Sequence, residues 1–148
     1  MTTLIAQNRG AGLVEREGAG FKWGMILELC YGICICAVTI ALRGVFIRLF
    51  VKPEETAVIA MGKEYLFFMA CFYILPCITN GLQGFFRGMG DMKVTVMATT
   101  AQMAGRAGFS LLLAPRFGIA GVAASCGIGW LVMLLFEVPL LRKHLAAG

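Results

Sequence analysis

Long apolar segments fill most of this sequence, and the polar residues between them fall into short stretches. The segments lie at about residues 23–42, 65–82, 94–114 and 117–141, and each approaches the ~20 residues that a helix needs to cross a bilayer. The whole chain is 59% hydrophobic and 14% charged, whereas a soluble domain is about half apolar and a quarter charged. The sequence therefore predicts one all-α unit over residues 1–148, a polytopic membrane helix bundle with four transmembrane helices.

The stretch at residues 83–93, QGFFRGMGDMK, interrupts the apolar pattern in mid-chain. It holds three glycines, two cations and one acid. Glycine next to charge is typical of a turn at a membrane surface. We therefore predict a short loop here between the second and third spans. Gln83, Arg87, Gly88, Gly90 and Asp91 are singled out only by the family resemblance given below.

The remaining connections are less regular. Residues 1–22 suggest the tail of a helix followed by an amphipathic surface segment, and residues 43–63 suggest a partly apolar connector. Pro76 should kink the second span, because proline removes a backbone hydrogen bond. A tight turn is expected at residues 115–118.

Polar side chains in the third span recur at steps of three and four residues, which places them on one helical face. They are Thr95, Thr99, Gln102, Arg106 and Ser110. A face of this kind should contact other helices or a wet cavity. Arg106 near mid-span is costly at about 3 kcal/mol, and it would either reach the interface and brace helix ends or line a transport pathway.

Three further features could bind a ligand or a partner helix. Met69, Tyr73, Pro76 and Asn80 share a similar spacing in the second span, which suits either helix packing or the binding of flat cationic molecules. Glu28 in the first span could carry a proton or pair with a cation, or stay ionised near the interface. Gly121, Ser125 and Gly129 form a small-residue face for close helix contact.

Other kinds of site are not indicated. The six cysteines lie in apolar segments and resemble packing residues, and Glu137 near the end of the last span is expected at the interface. No motif of a soluble enzyme is present, and neither a cofactor, a metal nor a nucleic acid is expected. Seven basic residues fall on the side of the 83–93 loop and five on the other. The positive-inside rule then places this loop and the C-terminus in the cytoplasm.

Three segments together resemble the multidrug and toxic compound extrusion (MATE) family. Residues 83–93 are similar to its QG-x-x-RG-x-GD-x-K loop, residues 7–12 to its QN-x-GAG segment, and residues 117–123 to the start of its twelfth helix. Members have twelve helices in two lobes and export organic, often cationic compounds by antiport against Na⁺ or H⁺.

The resemblance implies that this chain is the C-terminal third of such a transporter. It would hold the tail of the eighth helix and the ninth to twelfth helices. Its partners would be the lipid bilayer of the cell membrane, a small organic substrate and the missing N-terminal lobe. Some members place a cation-binding carboxylate in the tenth helix, where this chain has none and has Pro76 instead. This departure argues against Na⁺ binding by this lobe, so the ion-coupling carboxylates of the parent transporter would lie in the missing lobe. Glu28, the candidate for ion coupling, and Arg106 are the local alternatives in this chain.

Three alternatives stay open. The chain could be a complete four-helix, proton-coupled exporter that works as a homodimer with Glu28 as its acid. It could be a lipid-linked flippase of the related superfamily. It could also be a membrane subunit that transports nothing and only packs against partners.

Overall fold

A computed structural model describes residues 1–146, and these residues form five helices. The helices are α1 (Thr2–Gly10), α2 (Val14–Arg48), α3 (Thr56–Phe72), α4 (Ile74–Gly88) and α5 (Met92–Ala146). The described residues contain no β-strand, so the all-α prediction is confirmed.

Two of the helical regions are long and apolar enough to cross a membrane. They are Glu15–Arg48 and Met92–His144, and a third span results if α3 and α4, which meet at an angle of 45°, count as one. The sequence predicted four spans. By length and composition the structure supports two or three, because the predicted third and fourth spans form one helical region.

That region, α5, is divided by a break at Gly118. Gly118 has φ +56° and ψ −133°, a conformation that glycine adopts without the steric cost of a Cβ. We call residues 92–117 the first arm and residues 119–146 the second arm. A straight helix of 53 residues would be about 80 Å long, far more than the ~30 Å hydrocarbon core. The turn was predicted at residues 115–118, and only its last residue leaves the helix.

The two arms pack against each other through the predicted small-residue face. A Cβ added at Gly121 would lie 2.5 Å from the carbonyl oxygen of Leu113, and one added at Gly129 would lie 3.1 Å from the carbonyl oxygen of Gln102. Ser125, between the two glycines, is fully buried. Residues after the break therefore contact residues before it in antiparallel order, and the predicted contact face is confirmed.

The second predicted span is also broken, three residues before its proline. α3 ends at Phe72 and α4 begins at Ile74. Pro76 has no N–H to donate to the carbonyl of Phe72, and its ring would clash with that carbonyl in a straight helix. The expected kink is therefore present, but it is a change of helix at Tyr73.

The helices are longer than the sequence suggested. α2 continues well beyond residues 23–42 in both directions, and the connector predicted at 43–63 shrinks to residues 49–55. The surface segment expected in residues 1–22 is a short helix, a turn and the start of α2. The charged residues at the helix ends led to the prediction of longer connectors. A helix, however, can continue past the membrane surface.

The core lies where α1, α4 and the start of the first arm meet. Its buried residues are Ile5, Leu82, Phe85, Phe86 and Val94. Gly88 lets α1 approach α4, since a Cβ there would lie 2.5 Å from the Cβ of Ile5.

Three basic side chains contact residues of other helices near the ends of the bundle. At one end, Arg9 Nη1 lies 2.9 Å from Met89 Sδ, and the ring of Phe86 contacts that of His144. At the other end, the guanidinium of Arg43 lies 5.2 Å from the ring centroid of Phe67. The last two residues, 147 and 148, lie outside the described residues.

Candidate functional site

The segment predicted as a loop at residues 83–93 is mostly helix, and five of its eleven residues are buried. Gln83, Arg87 and Gly88 belong to α4, and only residues 89–91 form a turn. The loop prediction is therefore wrong for the first half of the segment. The apolar partners of Phe85 and Phe86 lie on α1 and α5, and the segment's own composition does not reveal them.

The turn itself is a glycine-terminated helix end. Gly90 has φ +83°, and the backbone N–H of Asp91 donates to the carbonyl oxygen of Phe86 at 2.9 Å. The N–H of Gly90 donates to the carbonyl oxygen of Arg87 at 3.1 Å. This pair of bonds is the Schellman motif, which satisfies the last carbonyls of a helix. Gly90 and Asp91 therefore have a structural role in ending α4.

Gln83 connects α4 to both arms of α5. Its Nε2 donates to the hydroxyl of Thr99 at 3.2 Å and lies 3.9 Å from the sulfur of Met133. Thr99 belongs to the first arm and Met133 to the second, so these two residues lie at one level of the hairpin. Thr95 is one turn before Thr99 and Glu137 is about one turn after Met133, so the same antiparallel register implies that they lie at one level of the hairpin.

Glu137 is the most unusual residue of this region. Its side chain is fully buried, and neither carboxylate oxygen has a hydrogen-bond partner among the described residues. The hydroxyl of Thr95 is likewise buried without a partner, and Gln83 lies beside the Glu137 carboxyl group. We call Gln83, Thr95, Thr99 and Glu137 the buried polar cluster.

The prediction that Glu137 lies at the interface is therefore wrong. The residue stands near the end of a helix, which suggested exposure, but residues of α4 cover that part of the second arm. A signal was available in the sequence. A hairpin with its turn at residues 115–118 places Glu137 opposite the polar residues at the start of the predicted third-span face.

The polar face predicted in the third span divides into two parts. Thr99 accepts a hydrogen bond from Gln83, and the hydroxyl of Thr95 is buried. Gln102 is half-buried and Arg106 is exposed, and Gly129 of the second arm packs against the backbone beside them. Among the described residues, Arg106 has no hydrogen bond and no ion pair.

The residues predicted to bind a flat cation in the second span do not share one straight helix. Met69 lies in α3, Asn80 lies in α4, and Tyr73 is at the break between them. Met69 and Tyr73 are half-buried, whereas Asn80 is exposed. The bend of 45° interrupts the face that the spacing predicted.

Glu28 lies apart from both groups. It is half-buried on α2 and lines an open pocket of about 390 Å³ together with Met1, Gly24, Leu27 and Tyr31. Among the residues with described side chains, no group of three or more His, Cys, Asp or Glu forms a metal site.

Comparison with known proteins gives one match. A family model described as MatE matches residues 1–112, which is about three quarters of the chain. The match ends before Gly118 and leaves the second arm, with Glu137, outside it. No curated protein and no solved structure matches the chain closely enough to count as a relative.

Proposed function

Because the chain belongs to the MatE family of multidrug and toxic-compound efflux transporters, we propose that it is part of an antiporter for organic, often cationic compounds. The family match carries this proposal. Members of the family are transporters and not enzymes, and the apolar helices indicate a multi-pass membrane protein. The exchanged ion would be Na⁺ or H⁺.

A second lobe completes the transporter in this proposal. The buried residues of α2, Val14 apart, are Glu17, Gly32 and Thr39, whereas Trp23, Leu27 and Tyr31 are each more than 60% exposed. Lipid would cover part of this surface and an N-terminal lobe the rest. Alternating access by rocking of two lobes requires both.

Substrate contacts in this arrangement would come from residues that other helices leave free. Arg106 and Asn80 are exposed, and Gln102, Met69 and Tyr73 are half-buried. An unpaired arginine inside an apolar segment needs an acidic or wet partner. In the two-lobed protein that partner would be the opposite lobe or the water of the central cavity.

The transport proposal is tested with proteoliposomes that contain a fluorescent organic cation. The purified chain alone should show no exchange under an imposed Na⁺ or H⁺ gradient, because in this proposal an N-terminal lobe supplies half of the cavity wall. Co-assembly with an N-terminal lobe of the family should produce gradient-dependent exchange. Exchange by the chain alone that Glu28→Gln abolishes would instead establish the homodimeric exporter.

The membrane arrangement gives a separate prediction. The first arm, residues 92–117, is about 39 Å long and so exceeds the hydrocarbon core. The turn at 89–91 and the break at Gly118 should therefore lie on opposite sides of the bilayer, with the former in the cytoplasm.

Protease sites inserted after Gly90 and after Gly118 test this arrangement in sealed vesicles of known orientation. External protease should cut one of the two variants, and detergent should make both sensitive. Cleavage of both from the same side of intact vesicles would contradict the four-span arrangement.

A further inference from the structure

The buried carboxyl group of Glu137 is a feature that the family match does not explain. It lies in the second arm, beyond the matched residues 1–112. Its side chain has no exposed surface, and both oxygens lack a hydrogen-bond partner among the described residues. A carboxyl group in this position requires a chemical explanation, because buried polar groups are normally satisfied.

Within the part of the chain that the structure describes, no cation pairs with this group. The nearest basic side chain on α4 is Arg87, which is exposed and donates its Nε to the carbonyl oxygen of Gln83 at 3.2 Å. Lys93 of the first arm and Arg142 and Lys143 of the second arm are exposed, and His144 packs against Phe86. The ion pair found among the described residues, Arg9 with Glu17, joins α1 to α2.

The groups around Glu137 are neutral. Gln83 lies beside it, Thr95 stands level with it on the first arm, and the next level holds Thr99 and Met133. The apolar core covers the cluster, with Leu134, Val138 and Leu141 packed against that core. A negative charge buried without a partner costs several kcal/mol, whereas the neutral acid does not carry that cost.

We propose that Glu137 holds a proton in this packed state and that the buried polar cluster is a proton-binding site in the interior of the lobe. The side-chain amide of Gln83 lies beside the carboxyl group, and the neutral acid needs no counter-ion there. Loss of the proton leaves a carboxylate that needs water. Water reaches it only when α4 moves away from the hairpin.

This geometry ties proton release to helix movement. Ionisation of Glu137 favours an arrangement in which α4 and the two arms separate at the level of Gln83, and packing favours the protonated form. The use of that coupling in transport rests on the proposed function. The protonation of Glu137 in the packed state does not depend on the proposed function.

Infrared spectroscopy of the purified chain in lipid tests the site. At neutral pH the spectrum of the wild type minus that of Glu137→Gln should show the carbonyl band of a protonated carboxylic acid. The same band should persist in Glu28→Gln, whose side chain faces an open pocket. A difference spectrum with only carboxylate bands would overturn the proposal, and so would loss of the acid band on addition of Na⁺, which would indicate a sodium site.

A second measurement does not depend on how the variant folds. N,N′-dicyclohexylcarbodiimide reacts with protonated carboxyl groups in apolar surroundings. It would reach Glu137 when α4 moves away from the hairpin, so mass spectrometry of the labelled wild type should find the modification at Glu137. Labelling elsewhere but not at Glu137, together with no acid band, contradicts the site. If the chain shows the acid band but gives no exchange, either alone or co-assembled with an N-terminal lobe, the result would contradict the transport proposal and leave the proton-binding site standing.

Discussion

Replacing Phe86 with alanine is expected to lower the free energy of unfolding by about 3 kcal/mol. Phe86 has no exposed surface, and its ring makes edge contacts with Phe85 at 5.9 Å and with His144 at 5.7 Å between centroids. Its removal leaves a cavity where α4 meets the end of the second arm. The cavity cost applies in lipid as in water, because neither solvent fills a closed internal void.

Phe50→Ala is the matched control for this prediction. Phe50 lies in the turn after α2 and is 88% exposed. Its replacement should change stability by less than about 0.5 kcal/mol. Denaturant unfolding in a mild detergent, followed by tryptophan fluorescence, compares the two variants. Similar losses in both would show that Phe86 is not in a packed core.

The overall class of the fold was predictable because it depends on local properties. The length of the apolar segments and the scarcity of charge indicated a membrane helix bundle without reference to any tertiary contact. The small-residue spacing of Gly121, Ser125 and Gly129 also identified a contact surface correctly. Spacing along a helix fixes which residues share a face, whatever that face packs against.

The segment around Gln83 shows what could not be predicted from local sequence. Glycine and charge together suggested a loop, but Gly88 serves close packing against α1 while Arg87 lies on the exposed side of the helix. Within residues 83–93, only Gly90 has the positive φ that a turn requires. A glycine here can allow close helix packing, as Gly88 does, or form a turn, as Gly90 does, and the sequence alone does not distinguish these two roles.

The candidate site depends on contacts between distant parts of the chain. Gln83 and Glu137 are 54 positions apart, and they meet because the break at Gly118 folds the second arm back along the first. Polar residues of the third span were found from their period, but their partner on the second arm was not. The register of the hairpin decides that pairing, and a shift by one residue would turn Glu137 away.

The second large effect on stability is expected for Gly121→Val, because this substitution disturbs the contact that sets the register of the hairpin. The carbonyl oxygen of Leu113 occupies the position that a side chain would need, at 2.5 Å from an added Cβ. Backbone atoms do not move aside as a flexible side chain does. We expect a loss of about 2 kcal/mol in the free energy of unfolding, in the range found for overpacked sites.

Gly108→Val is the matched control in the same hairpin. A Cβ added at Gly108 meets no atom within 4 Å, and the residue is exposed on the first arm. Both substitutions replace a helical glycine with the same β-branched residue, so the helix propensity changes equally. The difference between their unfolding free energies in detergent therefore measures the contact between the arms. Equal stability of the two variants would mean that the arms do not pack at Gly121, and the alignment of Thr95 with Glu137 would then lose its basis.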